Sequence, residues 1–174
     1  MPGPVFIEGD RIDLHVIEES DAETIQQLVN QPAIRQDLGM TTPVALHDEE
    51  EWITSDDEGT TLLIGLDGEP VGTIGIDDPG TWGTANSRYD LDPEHWGNGY
   101  TSEALHLLAQ YACGERRVAK LTGDVYATND ASAGVMESVG FVQEGRRRKE
   151  AFVDGERIDV LRYGLLAEEY EAPE

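Results

Sequence analysis

The chain has 174 residues, of which 39% are hydrophobic, and we expect one domain over residues 1–174 with a core of ordinary size. Its 36 Asp and Glu residues against 12 Lys and Arg give a formal net charge of −24. This acidity argues against nucleic-acid binding, which needs a basic surface. No apolar run approaches the ~20 residues of a membrane-spanning helix, so we expect no membrane partner. The single cysteine, Cys113, excludes an internal disulfide.

The acidic residues are spread along the chain, and Lys120 and Lys149 are its only lysines. A dispersed acidic surface poor in lysine is typical of proteins from halophiles that keep molar salt in the cytoplasm. At about 1 M salt the Debye length is only ~3 Å, so the repulsion between carboxylates is largely screened. The N-terminus shows neither a basic segment nor a long apolar one. We therefore expect a halophilic, cytoplasmic protein.

Alternating apolar and polar residues, and β-branched runs between turn residues, predict seven strands. In the first strand, Ile12, Leu14 and Val16 are predicted to point inward and His15 to face solvent. Asp67-Gly68 between two such runs predicts a tight hairpin. In chain order, the predicted strands occupy residues 11–17, 60–66, 71–76, 85–91, 120–127, 141–153 and 157–166.

Apolar residues at helical spacing predict four helices between these strands. They occupy residues 20–29, 47–53, 101–114 and 129–140, with single helical turns in residues 30–43 and 165–170. Antiparallel hairpins therefore come first, and the third helix then links two strands as a crossover. The order of elements predicts a mixed α/β fold.

The most informative segment is residues 92–105, in which a strand runs through a proline and two glycines into a helix. Gly97 and Gly99 allow a tight backbone turn because they carry no Cβ atom. A helix that begins there directs unpaired N–H groups and the positive end of its dipole at one point, which suits a phosphate. A strand-to-helix turn that merely needs glycine has the same local spacing, so both interpretations stay open.

Two segments together resemble a known family. Residues 91–105 hold the strand end, the glycine turn and the helix, and a later segment contains Asn129-x-x-Ser132 and Gly140-Phe141. The last strand, residues 159–166, fits the same pattern. With these motifs in this order, the whole chain resembles the GNAT superfamily of acyl-CoA-dependent N-acetyltransferases. The branch it resembles most is that of the RimJ/RimL-type ribosomal-protein N-terminal acetyltransferases and their small-molecule relatives.

The resemblance implies a central, mostly antiparallel sheet of about seven strands, flanked by helices and splayed where acetyl-CoA binds. In this family the backbone N–H groups of the glycine turn bind the pyrophosphate, and the preceding strand pairs with the pantetheine arm. Asn129 would bind a pantetheine amide, although its position also suits a helix N-cap. The implied cofactor-binding residues are Leu91, Trp96, Gly97, Asn98, Gly99, Tyr100, Thr101, Ser102 and Asn129.

The resemblance also implies that a neutral amine attacks the thioester directly in a ternary complex. The backbone N–H near Leu91 would then stabilise the developing oxyanion. Many family members protonate the departing thiolate with a tyrosine, but this chain has Met136 there, which has no proton to donate. In the branch a serine on the same helix replaces it, and that residue is Ser132 here. A local role for Ser132 in capping its own helix stays open.

The catalytic base is less well defined. Where the branch often has a glutamate, this chain has Asn86, which is not a base. Asp90 shares the strand face of Asn86 by alternation, and we rank it ahead of Glu94 and His95. A water relay, or attack by an amine that is already neutral, is the alternative. Because both usual catalytic groups are missing, a non-catalytic acyl-CoA-binding sensor on the same fold is the alternative function.

Four of the basic residues form one run, Arg146-Arg147-Arg148-Lys149. It would bind the cofactor's 3′-phosphate, bind an acidic acceptor, or form salt bridges with the acidic surface. Four scattered histidines and one cysteine match no metal-ligand spacing, so no metal is predicted. The acceptor is a protein N-terminus or a small-molecule amine, and a monomer or homodimer is expected.

Overall fold

The computed structural model describes residues 2–55 and 59–173. In this part of the chain eight strands form one sheet in the order β1-β2-β3-β4-β5-β6-β8-β7, and all neighbours are antiparallel except β5 and β6. The strands are β1 Val5–Ile7, β2 Asp13–Val16, β3 Thr60–Leu66, β4 Glu69–Ile76, β5 Thr84–Leu91, β6 Lys120–Tyr126, β7 Val142–Val153 and β8 Glu156–Leu166. The helices are α1 Ala22–Val29, α2 Pro32–Asp37, α3 Leu46–Ile53, α4 Tyr100–Gly114 and α5 Asp130–Val139.

This architecture confirms the predicted mixed α/β fold, but the sheet has one strand more than the seven predicted. The additional strand is β1, a segment of three residues that pairs with β2. So short a segment shows no alternation that a sequence pattern would detect. Part of its support is a contact distant in sequence, since the ring of Phe6 packs edge-on against Tyr111 with centroids 5.2 Å apart.

Strand β2 differs from its prediction at two side chains. His15, predicted in solvent, is buried, whereas Val16, predicted inward, is 37% exposed. The β1–β2 ladder contains a register shift, and His15 Nδ1 lies 2.9 Å from the carbonyl oxygen of Gly3. The N-terminal segment therefore covers a position that simple alternation assigned to solvent.

Helices cover both faces of the sheet and fix the elements that surround the site. One face packs against α4 and α5, and the other packs against α1 and the segments that follow it. Each fully buried Leu or Ile side chain contributes about 1.5–3 kcal/mol of transfer free energy, so α4 is firmly anchored along its apolar stripe. The stripe consists of Ala104, Leu105, Leu108, Ala109 and Ala112.

Candidate active site

The candidate site is a cavity at the point where two parallel strands separate. Strands β5 and β6 pair over three residues each, ending at Asn86 and Thr122. Ser87 Oγ donates to the Thr122 carbonyl at 2.9 Å across this last point of contact. Beyond it, residues 86–91 and 124–126 become walls of a cavity of about 440 Å³, with further walls from α2, α5 and the start of α4. This gap is the predicted splay of the sheet.

The glycine turn presents a row of unpaired backbone N–H groups. Gly97 and Gly99 have φ angles of 77° and 80°, a left-handed region that glycine adopts without strain. Within the described residues, no backbone hydrogen bond engages the N–H groups of residues 97–102. Such a row at a helix N-terminus is suited to an anion. The N–H of Trp96 is not part of this row, because it donates to the Pro93 carbonyl at 3.2 Å.

The carbonyl groups of the same turn are held by side chains. Asn98 Nδ2 donates to the carbonyls of His95 and Trp96, both at 3.1 Å. Arg11 donates from Nη1 to the Asn98 carbonyl at 2.8 Å and from Nη2 to the Gly99 carbonyl at 3.4 Å. These bonds fix the carbonyl groups of the turn, while the N–H groups of residues 97–102 have no backbone partner.

Glu103, in the first turn of α4, fixes Arg11 in this position. It accepts from Arg11 Nε at 2.7 Å and from the N–H groups of Asp10 and Arg11 at 3.0 and 2.8 Å. Burial opposes ionisation of Glu103, but hydrogen bonds from Arg11 and Ile12 outweigh it and lower the pKa of the carboxyl group. Sequence reasoning missed Arg11, which is separated from Glu103 by 92 positions.

Leu91 ends β5 at the cavity and directs its backbone into the gap. The N–H of Asp92 donates to the Val71 carbonyl on β4 at 2.8 Å. Since N–H groups alternate in direction along a strand, the N–H of Leu91 faces away from β4. The Leu91 carbonyl accepts the indole Nε1–H of Trp96 at 2.7 Å. Trp96 therefore joins the glycine turn to the strand end through its side chain, a contact that the sequence did not reveal.

Asn129 precedes α5 and uses both ends of its side-chain amide. Its Oδ1 accepts from the N–H of Ser132 at 3.0 Å, which makes it the N-cap of the helix. Its Nδ2 donates to Asp37 Oδ2 on α2 at 3.2 Å. Of the two roles that the sequence left open, the N-cap is present in the structure. A bond to pantetheine requires Nδ2 to exchange Asp37 for the cofactor.

Ser132 lies on the cavity wall, and its hydroxyl meets the phenol of Tyr89 from β5. Tyr89 OH is 2.8 Å from Ser132 Oγ and 3.3 Å from the Ser132 carbonyl oxygen. Burial raises the pKa of Tyr89 to about 12, and the hydrogen bond with Ser132 opposes this shift. Met136, one turn further along α5, is buried and lines the same cavity. Sequence reasoning missed Tyr89, because nothing local indicates that its strand meets α5.

Asp90 is a buried carboxyl group on the cavity wall, 9% exposed. Its Oδ1 accepts from the N–H of Thr73 at 3.2 Å, and its Oδ2 accepts from the Thr73 hydroxyl. Burial raises the pKa of Asp90 to about 6, and the bonds from Thr73 oppose this shift. Glu49 on α3 is also buried, and burial and the nearby Asp90 raise its pKa. A group that changes charge close to neutral pH suits a proton acceptor.

Asn86 stands where the resemblance places the family's base, and neighbouring strands bond to its side chain. Its Oδ1 accepts from Arg162 Nη1 at 3.2 Å and from Thr122 Oγ1 at 3.3 Å. It thereby links β5, β6 and β8 at the point where the sheet separates. The other two base candidates, Glu94 and His95, are not among the described residues that line the cavity.

Two arginines of the basic run on β7 pair with the protein's own carboxylates. Arg146 Nε lies 2.6 Å from Asp159 Oδ2, and Arg147 Nη2 lies 2.6 Å from Asp124 Oδ2. Asp124, on the cavity wall, also accepts from Arg162 at 3.0 Å. Of the three interpretations that the sequence left open, salt bridges with the acidic surface are the one that the structure displays.

Two other features are absent from the part of the chain that the structure describes. No helix within residues 2–55 and 59–173 is long and apolar enough to cross a membrane. Among the same residues, no group of three or more His, Cys, Asp or Glu side chains is arranged to hold a metal ion. The residues on the cavity wall include Ser87, Ser132 and Thr101 with hydroxyl groups and Asp37, Asp90 and Asp124 with carboxyl groups.

Comparison with known proteins agrees with this geometry. The family description "Acetyltransferase (GNAT) domain" matches residues 11–142. The uncharacterized N-acetyltransferase p20 of Bacillus licheniformis is 27% identical over 172 residues, covering 92% of this chain and 96% of its own. The fold is similar to that of spermidine N-acetyltransferase from Vibrio cholerae in complex with CoA and spermine (TM-score 0.85, 22% identity, 92% and 98% covered). It is also similar to RimL, a ribosomal L7/L12 alpha-N-protein acetyltransferase in complex with coenzyme A (TM-score 0.84, 19% identity, 94% and 98% covered).

The chain belongs to the GNAT acetyltransferase family, because the family description covers most of its length. It is an N-acetyltransferase, and acetyl-CoA is its acyl donor. The residues present fit this donor: the glycine turn offers N–H groups to phosphates, and the gap beside Leu91 offers an unpaired strand edge to an extended amide chain.

Proposed function

We propose that this enzyme transfers the acetyl group to a primary amine that attacks directly while both substrates are bound. The observation that carries the proposal is one cavity that is lined by residues of the glycine turn, by Ser132 and by Asp90. Bound acetyl-CoA supplies the activated acetyl thioester. Among the described residues, Cys113 does not line this cavity, which favours direct transfer over an acyl-cysteine route.

In this proposal, backbone groups hold the cofactor. The N–H groups of residues 97–102 bind the pyrophosphate, and Trp96 supports them through its indole bond to Leu91. The Ser102 hydroxyl, whose oxygen lies 3.0 Å from Ser138 Oγ, turns its proton toward a phosphate. The N–H of Leu91 donates to the developing oxyanion. Asn129 Nδ2 exchanges Asp37 for a pantetheine amide.

Two side chains assist the reaction, one as a proton acceptor and one as a hydrogen-bond donor. Asp90, whose pKa is raised to about 6 by burial, is ionised at pH 7 and accepts the proton of the attacking amine. Ser132 directs its hydroxyl proton toward the departing sulfur and stabilises the negative charge that develops there. Met136 takes no part in this chemistry, because a thioether has no proton to donate.

We propose a small cationic amine as the acceptor. Asp37 and Asp90 line the cavity, and buried Glu49 lies beside Asp90. Arg88, also on the wall, is neutralised by its ion pair with Asp77. The resulting negative potential favours an ammonium group over an acidic acceptor. The similarity to a spermidine acetyltransferase supports this class, and a protein N-terminus, as in RimL, is the alternative.

We assign the chain to the RimJ/RimL-like branch on its Asn129-x-x-Ser132 motif and the absence of a tyrosine at Met136. The acidic composition supports a halophilic protein of a salt-rich cytoplasm. The same acidity supports the absence of nucleic-acid partners. No membrane partner is proposed, and the enzyme acts as a monomer or homodimer.

A non-catalytic acyl-CoA sensor on the same fold is the second candidate. The observations that favour it are Asn86 and Met136, which stand where the family's base and acid are expected. A sensor would bind acetyl-CoA through the same glycine turn and the same gap between β5 and β6. It would bind acetyl-CoA tightly and leave amines unchanged.

Calorimetry and turnover measurements in molar KCl test both candidates. Titration with acetyl-CoA should show saturable binding and a raised melting temperature. Release of CoA thiol, corrected for hydrolysis, should then be measured with spermidine, an aminoglycoside, free amino acids and a peptide with a free N-terminus. Amine-dependent release supports the transferase, and binding without release supports the sensor. Absence of acetyl-CoA binding contradicts both.

A further inference from the structure

Tyr89 brings a phenol into contact with the proposed hydrogen-bond donor of the reaction. The Tyr89 OH to Ser132 Oγ distance of 2.8 Å is normal for an O–H···O hydrogen bond, whereas 3.3 Å to the Ser132 carbonyl is long. The tyrosine ring packs against the main core cluster, and its backbone belongs to β5. The phenol is therefore held by a rigid element and acts chiefly on the Ser132 hydroxyl.

The pair of hydroxyl groups has two hydrogen-bonding arrangements, because each has one proton to donate. In the first, Ser132 Oγ donates to Tyr89, and Tyr89 donates to the Ser132 carbonyl. In the second, Tyr89 donates to Ser132 Oγ, and the serine proton is free to point into the cavity. An acceptor inside the cavity, such as a sulfur that gains negative charge, favours the second arrangement.

We propose that Tyr89 is a positioning residue that turns the Ser132 hydroxyl proton toward the departing sulfur. This inference rests on the proposed function. As the C–N bond forms and the C–S bond breaks, the electron pair stays on sulfur and the amine proton passes to Asp90. The sulfur takes up its own proton from water as the thiol product leaves. Ser132 donates to the sulfur while Tyr89 donates to Ser132, and each bond strengthens the other.

In this series of hydrogen bonds, Tyr89 donates to Ser132 and keeps its proton. Burial first, and then the nearby negative charge of Asp37, raise the pKa of Tyr89 to about 12, against the opposing bond from Ser132. An ordinary thiol has a pKa of about 8.5, so complete transfer from the phenol to a thiolate is unfavourable by roughly three powers of ten. Replacement of Tyr89 by phenylalanine removes the donor and leaves the ring in the core.

Kinetics of single and double variants test the coupling. Tyr89→Phe should lower kcat by about tenfold and Ser132→Ala by about a hundredfold, because both remove stabilisation of the leaving group. The dissociation constant for acetyl-CoA should change less than about twofold in either variant. If Tyr89 acts through Ser132, the double variant should be no slower than Ser132→Ala alone.

Tyr163→Phe is the matched control. Tyr163 OH also bonds to α5, to Glu137 Oε1 at 2.9 Å, but the residue does not line the cavity. This variant loses a tyrosine hydroxyl and a bond to the same helix, and its kcat should equal that of the wild type. A loss in Tyr163→Phe as large as in Tyr89→Phe would show that the effect is structural and would overturn the inference.

A measurement without turnover separates this inference from the proposed function. 3-Fluorotyrosine is placed at position 89, and its ¹⁹F resonance is followed on addition of CoA. A shift that disappears in Ser132→Ala supports the coupled pair, even if no amine is acetylated and the proposed function fails. An identical response with and without the serine overturns the inference. Multiplicative losses in the double variant, Tyr89→Phe activity within twofold of wild type, or a fully active Ser132→Ala would also overturn it.

Discussion

Asp90 is buried and is also the proposed base. Burial of its ionised carboxylate lowers the stability of the fold, whereas the proposed reaction needs that ionised carboxylate. Its ionised form has lost water that the two bonds from Thr73 replace only in part. Its pKa rises from 3.8 in the unfolded reference to about 6 in the fold. At a pH between these two pKa values, Asp90 is protonated in the folded protein but ionised in the unfolded chain. The free energy of unfolding therefore falls by about 3 kcal/mol as pH rises through this window, and stays lower above it.

We predict that Asp90→Asn stabilises the protein and impairs catalysis. At pH 7.5 the variant should unfold with a free energy about 1–3 kcal/mol above that of the wild type, because it removes a buried charge, and the difference should vanish near pH 4. Its kcat should fall by about 10²–10⁴. In the wild type, kcat/KM should rise with pH through a limb near 6, as Asp90 loses its proton. Denaturant unfolding at both pH values and a pH–rate profile measure these quantities.

Asp78→Asn is the control for this pair of measurements. Asp78 is an exposed carboxylate that accepts from the N–H of Gly80, and an asparagine oxygen is able to do the same. It should change neither the pH dependence of stability nor kcat. Wild-type activity in Asp90→Asn would contradict its role as base, and lower stability at pH 7.5 would contradict the burial argument.

Among the structural elements, the β1–β2 connection supports the glycine turn from behind. A helix N-terminus alone attracts anions, but its loop must also keep its carbonyl groups away from the phosphates. Arg11 holds two of these carbonyl groups, because its Nη1 donates to Asn98 and its Nη2 donates to Gly99. Glu103 holds the third donor, Nε. A lysine has no planar fork and is unable to reproduce this arrangement.

We predict that Arg11→Ala weakens acetyl-CoA binding about tenfold, which corresponds to about 1.4 kcal/mol. Arg11→Lys, which keeps the charge but loses the fork, should weaken it by an intermediate amount. In both variants kcat at saturation should stay near the wild-type value, because Arg11 lies behind the turn. Arg117→Ala, an exposed arginine beyond the far end of α4, serves as control. Unchanged acetyl-CoA affinity in Arg11→Ala, measured by calorimetry, would show that the turn needs no such support.

The elements that the sequence predicted well are those with local causes. Asp67 and Gly68 both have positive φ angles, 52° and 83°, as expected where an Asp-Gly pair closes a hairpin. Gly140 ends α5 in the left-handed region with φ of 105°. The two glycines of the turn before α4 adopt the same region. In each case a few adjacent residues decide the backbone conformation, so a single sequence is sufficient.

The contacts that the sequence did not predict join residues that are distant along the chain. Tyr89 and Ser132 are 43 positions apart, and their hydroxyl groups meet because β5 and α5 border the same gap. His15 is buried by an N-terminal segment whose strand has three residues. The motifs predicted the backbone groups of the candidate cofactor site. The side chains that orient it depend on packing between elements, and this leaves no local pattern.

At the scale of the whole molecule, the net charge of −24 sets the conditions under which the fold and the site operate. At 0.1 M salt the Debye length is about 10 Å, so neighbouring carboxylates repel one another, whereas at 1 M it is about 3 Å. The ion pairs along β7 and β6 neutralise part of this charge, but carboxylates outnumber basic residues threefold. The same potential repels an anionic cofactor, in opposition to the local field of the glycine turn.

We therefore predict that both the melting temperature and the affinity for acetyl-CoA increase between 0.1 and 1 M KCl. Basic nucleotide-binding surfaces show the reverse, because salt competes with their phosphate contacts. A variant with four exposed carboxylates made neutral, Glu50→Gln, Glu51→Gln, Asp67→Asn and Glu69→Gln, should show a weaker dependence of both quantities on KCl. Its comparison with the wild type at equal KCl cancels the general effect of salt on apolar burial. If affinity instead falls with salt while the melting temperature rises, the field of the glycine turn outweighs the net charge at the phosphates. The acidic surface then acts on the fold alone.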